Sequence, residues 1–196
     1  MKKDKNNYSK NLQALSKTKK EAILNFIENS KPIDWASKIR SENNKHNMLV
    51  KHGSRVDPAY NMKNPTRDIN KTIKSISLFK QNCTIVVGAG VGHLVNSVIK
   101  HKDKNHKVIL IEPVAEILKI ALHCYDFTKW IEDESLIIID KKELIPQVTA
   151  YLNGIFVVED WILLVERYCL LRAEYSEVIK VASESINQLR CNIGTM

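Results

Sequence analysis

The feature that most limits how this chain can fold is the run Thr84-Ile-Val-Val-Gly88-Ala-Gly90-Val-Gly92-His-Leu94. A short β-branched apolar strand enters a turn with three glycines, and the turn opens a helix. The glycines remove the Cβ atoms that would otherwise block a tight reversal or an approaching ligand. The helix start offers unpaired N–H groups and the positive end of its dipole to an anion. A second apolar strand, Val108 to Ile111, ends at Glu112-Pro113, and Glu112 lies twenty residues after Gly92. An acid at that place holds ribose hydroxyls in dinucleotide-type sites. Gly88, Gly90, Gly92 and Glu112 are therefore the candidate cofactor-binding residues. Asp140 closes the third expected strand and would face the same edge. The spacing is G-x-G-x-G, not the full G-x-G-x-x-G, so it fits a bound nucleotide and equally a turn needed only for backbone packing. His93 reads as a helix-start residue ahead of a catalytic one.

The rest of the chain alternates around this unit. Ser9 to Ser30 has helical spacing through Leu12, Leu15, Ile23, Phe26 and Ile27, and Pro32 ends it. Residues 31–65 read as a loop or small hairpin. Pro65-Thr66 opens the next helix, with Ile69, Ile73, Ile76 and Phe79 as its buried stripe. After the second strand, helix, strand, helix and strand are expected near 114–123, 135–139, 143–151 and 155–158. Trp161 to Leu171 is apolar enough for strand or helix, and Arg172 to Leu189 is an amphipathic helix. The expected class is α/β: a Rossmann-like three-layer sandwich with a mostly parallel sheet, preceded by an N-terminal helical and hairpin region and closed by a C-terminal helix. Residues 1–65 are the expected appendage and 66–196 the Rossmann-like domain.

Composition narrows the setting. With 196 residues, 44% of them hydrophobic, the chain suits one globular core. No run of eighteen apolar residues and no apolar signal core occurs, so neither a membrane helix nor a secretory signal is expected. Cys83, Cys124, Cys169 and Cys191 are far apart, without C-x-x-C or Cys/His spacing. They read as small buried hydrophobes in a reducing cytoplasm, with no metal site. The net charge of +8 is uneven: residues 1–107 carry +14 and residues 108–196 carry −6. The +6 of residues 1–20 reads as a frayed, solvated tail. The +7 of residues 38–80 is either a solvated face or a surface for an anionic ligand or partner. Nucleic acid is not favoured, because no aromatic-interleaved basic motif accompanies the charge. Glu132, Asp133 and Glu134 read as a solvated acidic cluster, and Glu159-Asp160 as solvent-facing. No G-x-S-x-G, P-loop or H-E-x-x-H pattern is present, so no catalytic residue is assigned.

Several segments together resemble the N-terminal domain of the motility accessory factor glycosyltransferases. They are Ile85-Val-Val-Gly-Ala-Gly-Val-Gly-His-Leu94, Val108-Ile-Leu-Ile-Glu-Pro113, Ile117-Leu-Lys-Ile-Ala-Leu122 and Asp126-Phe127. His93 stands where an aromatic is more usual in that family. Asn11 to Leu15 is similar to the family's opening helix. Lys51-His-Gly-Ser54 with Asn64-Pro65 is similar to its entry segment, and Glu174-Tyr175 with Asn192 to Thr195 to its closing helix. The resemblance implies a bacterial, cytoplasmic role in flagellin glycosylation and motility. In that family a central domain, opened by a G-x-G-P-S-L-like motif, transfers a nonulosonic sugar from a CMP donor to flagellin. That motif does not occur here. The resemblance therefore implies an accessory, non-catalytic domain, with flagellin or a transferase domain as partner. The closing helix would pack on such a domain or on a second copy of this chain.

Two other functions fit the glycine turn. A small S-adenosylmethionine-dependent methyltransferase would use Gly88 to Gly92, Glu112 and Asp140, but Val86 stands where such enzymes usually carry an acid. An NAD-linked oxidoreductase fits least, since the glycine spacing is incomplete. The ligand of the turn is thus left open between a nucleotide, a CMP-sugar and S-adenosylmethionine.

Overall fold

The computed structural model describes residues 2–76, 82–155 and 160–193. Phe79, Glu159, residues 156–158 of the expected fourth strand and the last three residues lie outside these. The fold is α/β: a four-stranded parallel sheet with helices on both faces, laid out like a Rossmann fold and closed by a long C-terminal helix.

The parallel sheet consists of β4 (Cys83–Val87), β5 (Lys107–Ile111), β6 (Leu136–Ile139) and β7 (Trp161–Val165) in the order β6-β5-β4-β7. Every residue of β4 is buried, as a central strand covered on both faces requires. Helix α4 (His93–His101) follows the glycine turn and buries Leu94, Val95, Val98 and Ile99. Helices α5 (Ala115–Cys124), α6 (Thr128–Glu132) and α7 (Ile145–Asn153) fill the later crossovers. The last strand lies at Trp161–Val165, a segment whose sequence left strand and helix undecided. A 3-10 turn, Arg167–Leu171, leads from it to α8 (Ala173–Ile193). Tyr175, Val178, Ala182 and Ile186 form the buried stripe of α8.

The N-terminal region is more ordered than its sequence implied. Residues 2–58 form α1 (Lys2–Lys17), α2 (Glu21–Glu28) and an antiparallel meander of β1 (Ala36–Arg40), β2 (His46–His52) and β3 (Arg55–Pro58). Lys19, at φ +54°, breaks the single helix expected over residues 9–30. Helix α3 (Arg67–Ser75) then leads to the sheet. Ala14, Leu15, Ile23, Ile27, Met48 and Val50 belong to the same continuous core as β4 and β5.

The lysine-rich start is not a frayed tail. Lys10 pairs with Asp126 at 3.2 Å, Lys17 with Glu132 at 3.0 Å and Lys20 with Glu134 at 3.4 Å, so the basic N-terminus meets acidic residues in and beside α6. Exposed pairs of this kind contribute roughly 0–1 kcal/mol each, so they set orientation more than stability. The anchor is Asn11, which is fully buried. Its amide donates to the carbonyls of Leu122 (2.8 Å) and Tyr125 (2.7 Å), and its oxygen accepts from the Phe127 amide (2.7 Å). Asn11→Ala leaves three buried backbone groups without partners. It is expected to cost about 3 kcal/mol and to lower the thermal midpoint by roughly 6–12 °C in a chain of this size. A calorimetric shift under 2 °C, a value set against the same scaling, would show that α1 is not docked through this residue.

Candidate functional site

The strand register builds the site. Val87 aligns with Ile111 and with Val165, and Ile111 aligns with Ile139. The next residue of each strand therefore lies on one edge of the sheet: Gly88, Glu112, Asp140 and Glu166. Backbone bonds continue across this edge, from Gly88 to Ile111, Glu112 to Ile139 and Glu166 to Val87, each at 2.9 Å. Strands β5 and β6 lie on one side of β4 and β7 on the other. The strand order reverses at β4, the place where open α/β sheets receive ligands.

All three turn glycines have left-handed backbones, with φ of +93° at Gly88, +51° at Gly90 and +88° at Gly92. Their amide-rich turn is satisfied from within the chain. The Ala89 amide donates to Glu112 Oε2 (2.7 Å) and the Gly90 amide to the Tyr168 hydroxyl (3.1 Å). Glu166 Oε1 lies 3.5 Å from where a Cβ on Gly90 would stand. Glu112 Oε1 accepts from the Tyr175 hydroxyl (2.7 Å) and the Val114 amide (2.9 Å). Tyr60 donates to Glu166 Oε1 at 2.9 Å.

The space the glycines free is also taken. A Cβ on Gly88 would land on Cys169 Sγ, one on Gly90 on the Tyr60 hydroxyl, and one on Gly92 within 2.8 Å of the Tyr125 ring. The side chains in that space come from distant parts of the chain. Tyr60 arrives from the loop after β3, Tyr168 and Cys169 from the 3-10 turn, and Tyr175 from α8.

Burial sets the protonation of this cluster. It raises Glu112 to about 7, against opposition from the amides and tyrosine hydroxyls bonded to it. It raises Glu166 to about 8, with the neighbouring Glu112 pushing the same way. Tyr60, Tyr168 and Tyr175 are all held well above the ordinary phenol value by burial, so they are donors, not phenolates. Burial lowers His93 to about 4, so its ring is neutral. That ring bonds the Tyr125 hydroxyl (2.7 Å) and the His46 carbonyl (2.9 Å), while Gly92 takes the cap position of α4. Asp140 is buried at the same sheet edge.

The sequence pattern placed Gly88, Gly90, Gly92, Glu112 and Asp140 on this edge but missed Tyr60, Glu166, Tyr168 and Tyr175. For Glu166 a signal exists. Ile-Leu-Ile-Glu112, Ile-Ile-Ile-Asp140 and Leu-Leu-Val-Glu166 are three apolar runs, each closed by an acid. Beside the turn a cavity of about 450 Å³ opens between α3, the Pro58–Asn61 loop and the end of β7, with Tyr60 and Glu166 in its lining. Among the described residues no cluster of His, Cys, Asp and Glu could hold a metal ion, and no helix is long and apolar enough to cross a membrane. Cys83, Cys124 and Cys169 are buried thiols, and Cys191 is exposed.

No family model matches the sequence, and no curated protein matches it at a significant level. Among solved structures, a Maf glycosyltransferase from Magnetospirillum magneticum AMB-1 superposes on 93% of this chain with a TM-score of 0.64 and 16% identity. The match covers 35% of that protein. A fibrillarin from Aeropyrum pernix, solved with bound S-adenosyl-L-methionine, aligns over 80% of this chain and 87% of its own, at a TM-score of 0.31 and 10% identity. The chain thus has the fold of one region of a Maf glycosyltransferase and spans about a third of that protein's length.

Proposed function

We propose that this chain acts as a non-catalytic accessory domain of a motility accessory factor-like glycosyltransferase, in which the Rossmann-like unit is a docking scaffold. The observation that carries this reading is the turn itself. Glu112 and Tyr168 already bond its Ala89 and Gly90 amides, and Tyr60 and Glu166 close in on Gly90, where a nucleotide phosphate would otherwise sit. The match to a Maf glycosyltransferase over nearly the whole chain supports the family side of the proposal. Flagellin, or a transferase domain of the same system, is the partner it implies, and the cytoplasm is where it would work.

The test is a titration of the purified chain with S-adenosylmethionine, NAD and CMP, reading the thermal midpoint. A ligand of the native state at a hundredfold excess over its dissociation constant stabilises by about 2.7 kcal/mol. No stabilisation that depends on Glu112 is expected from any of the three. A shift with S-adenosylmethionine that disappears in Glu112→Gln would replace the scaffold by a methyltransferase. On the positive side, the chain should co-elute with separately purified flagellin or transferase domain in size-exclusion chromatography, and retention of neither would remove the docking role.

A further inference from the structure

A second cavity, of about 530 Å³, lies along α4, between the β1–β2 turn and α3. Its volume is within the range of small-molecule sites, roughly 300–1,000 Å³. We propose that it is a binding site for a phosphate-bearing small molecule. This goes beyond the docking role and does not depend on it.

Three elements supply its positive charge. Arg40 ends β1, Lys45 stands in the β1–β2 turn, and Lys100 is in the last turn of α4. These three cations line one cavity that has no carboxylate among its described lining residues. Lys45 and Lys100 are exposed, and neither forms an ion pair with a described residue. Part of the +7 carried by residues 38–80 is here folded into a concave, acid-free surface.

The neutral groups fit the same ligand. Helix α4 lines the cavity with the half-buried Asn96 and the exposed Lys100, over the buried His93 and Ser97, all at helical spacing. Asn70 of α3 faces Ser97, whose hydroxyl bonds it at 3.4 Å. Amide and hydroxyl donors together with lysine and arginine suit the many acceptor oxygens of a phosphate. The planar Tyr125 ring forms part of the wall and gives a surface on which a base can lie.

The experiment is isothermal titration of the full chain with inorganic pyrophosphate and with ADP, at two salt concentrations. Both should bind, more weakly at high salt because the site is solvent-accessible and screened. Equal affinities identify the phosphates as the recognised group, and tighter ADP binding adds the base. Lys45→Glu and Lys100→Glu should each weaken binding at least about tenfold, about 1.4 kcal/mol at the standard conversion. The double variant should abolish it. Both positions are exposed, so the variants should keep the wild-type thermal midpoint. Lys180→Glu, at an exposed position on α8, should bind as wild type. No binding of either probe at millimolar concentration, unchanged binding in the double variant, or equal loss in Lys180→Glu would overturn the proposal. So would tight binding of single-stranded RNA through Lys45 and Lys100 with no binding of pyrophosphate or ADP, which would make the surface a nucleic-acid interface.

Discussion

Gly90→Ala is expected to destabilise the chain by about 4 kcal/mol, enough to threaten folding in a domain whose total stability is typically 5–15 kcal/mol. Two effects add. Gly90 has φ +51°, a left-handed backbone that costs an L-residue roughly 1–2 kcal/mol. The new Cβ would also land on the Tyr60 hydroxyl, and forced overpacking costs roughly 1–3 kcal/mol. The clash has a named partner, so it can be tested by a double-mutant cycle. Tyr60→Phe removes the hydroxyl, at the cost of its 2.9 Å bond to Glu166, and leaves ring carbon Cζ 3.3 Å from the new Cβ. The double variant should therefore be more stable than the sum of the singles predicts, by about 1 kcal/mol or more. Strict additivity in urea denaturation would mean that Tyr60 does not fill the turn. A cost for Gly90→Ala below 1 kcal/mol, against the strain figure above, would mean that the turn is open to ligands.

Glu112→Leu should cost a similar amount. It leaves the Ala89 and Val114 amides and the Tyr175 hydroxyl without their acceptor, each at roughly 1–3 kcal/mol. The near-isosteric Glu112→Gln should be milder and should change how stability depends on pH. Glu112 and Glu166 are raised from 4.5 to about 7 and about 8 in the folded chain. The folded state then holds protons that the unfolded chain has released. The stability linked to these protons is fully present below pH 4.5 and is lost as pH rises through 7 and 8. His93 has the opposite sign. It is lowered from 6.5 to about 4, so its contribution is present above pH 6.5 and lost as pH falls through 4. Between pH 4.5 and 6.5 it offsets one carboxyl, and above 6.5 the carboxyls act alone. Stability should therefore fall by about 2 kcal/mol between pH 6.5 and 8, at 1.36 kcal/mol per proton per pH unit. In Glu112→Gln that fall should shrink by about half. A flat profile in the wild type, or an unchanged slope in the variant, would show that these carboxyls are ionised in the native state.

Neither effect depends on a ligand, because the cluster is closed by the chain itself. A Rossmann-like turn normally leaves its amides for an anion. Here Glu112 turns back onto the Ala89 amide, Glu166 places a carboxyl beside Gly90, and three tyrosines complete the packing. Local chemistry at this edge serves the structure first. The proposed phosphate site lies instead along α4, where Lys45 and Lys100 are exposed.

What the sequence determined by itself was everything written in local pattern. The β-branched run Cys83–Val87, the glycines and the acid at Glu112 specified strand, left-handed turn and strand end, because sterics, backbone freedom and burial act over a few neighbouring residues. Periodicity marked α4, α5 and α8, and the alternation implied a parallel sheet. Less was legible where two patterns overlap. Trp161–Val165 is a strand whose apolar composition serves a helix equally well. The N-terminal lysines looked solvated because their acidic partners lie more than a hundred residues away. Only the tertiary structure decided what fills the glycine turn. Tyr60 and Glu166 are 106 positions apart and Glu112 and Tyr175 63, so no local rule relates them. They meet because parallel strand order and the antiparallel meander carry distant segments to one sheet edge, where each buried polar group must find a partner.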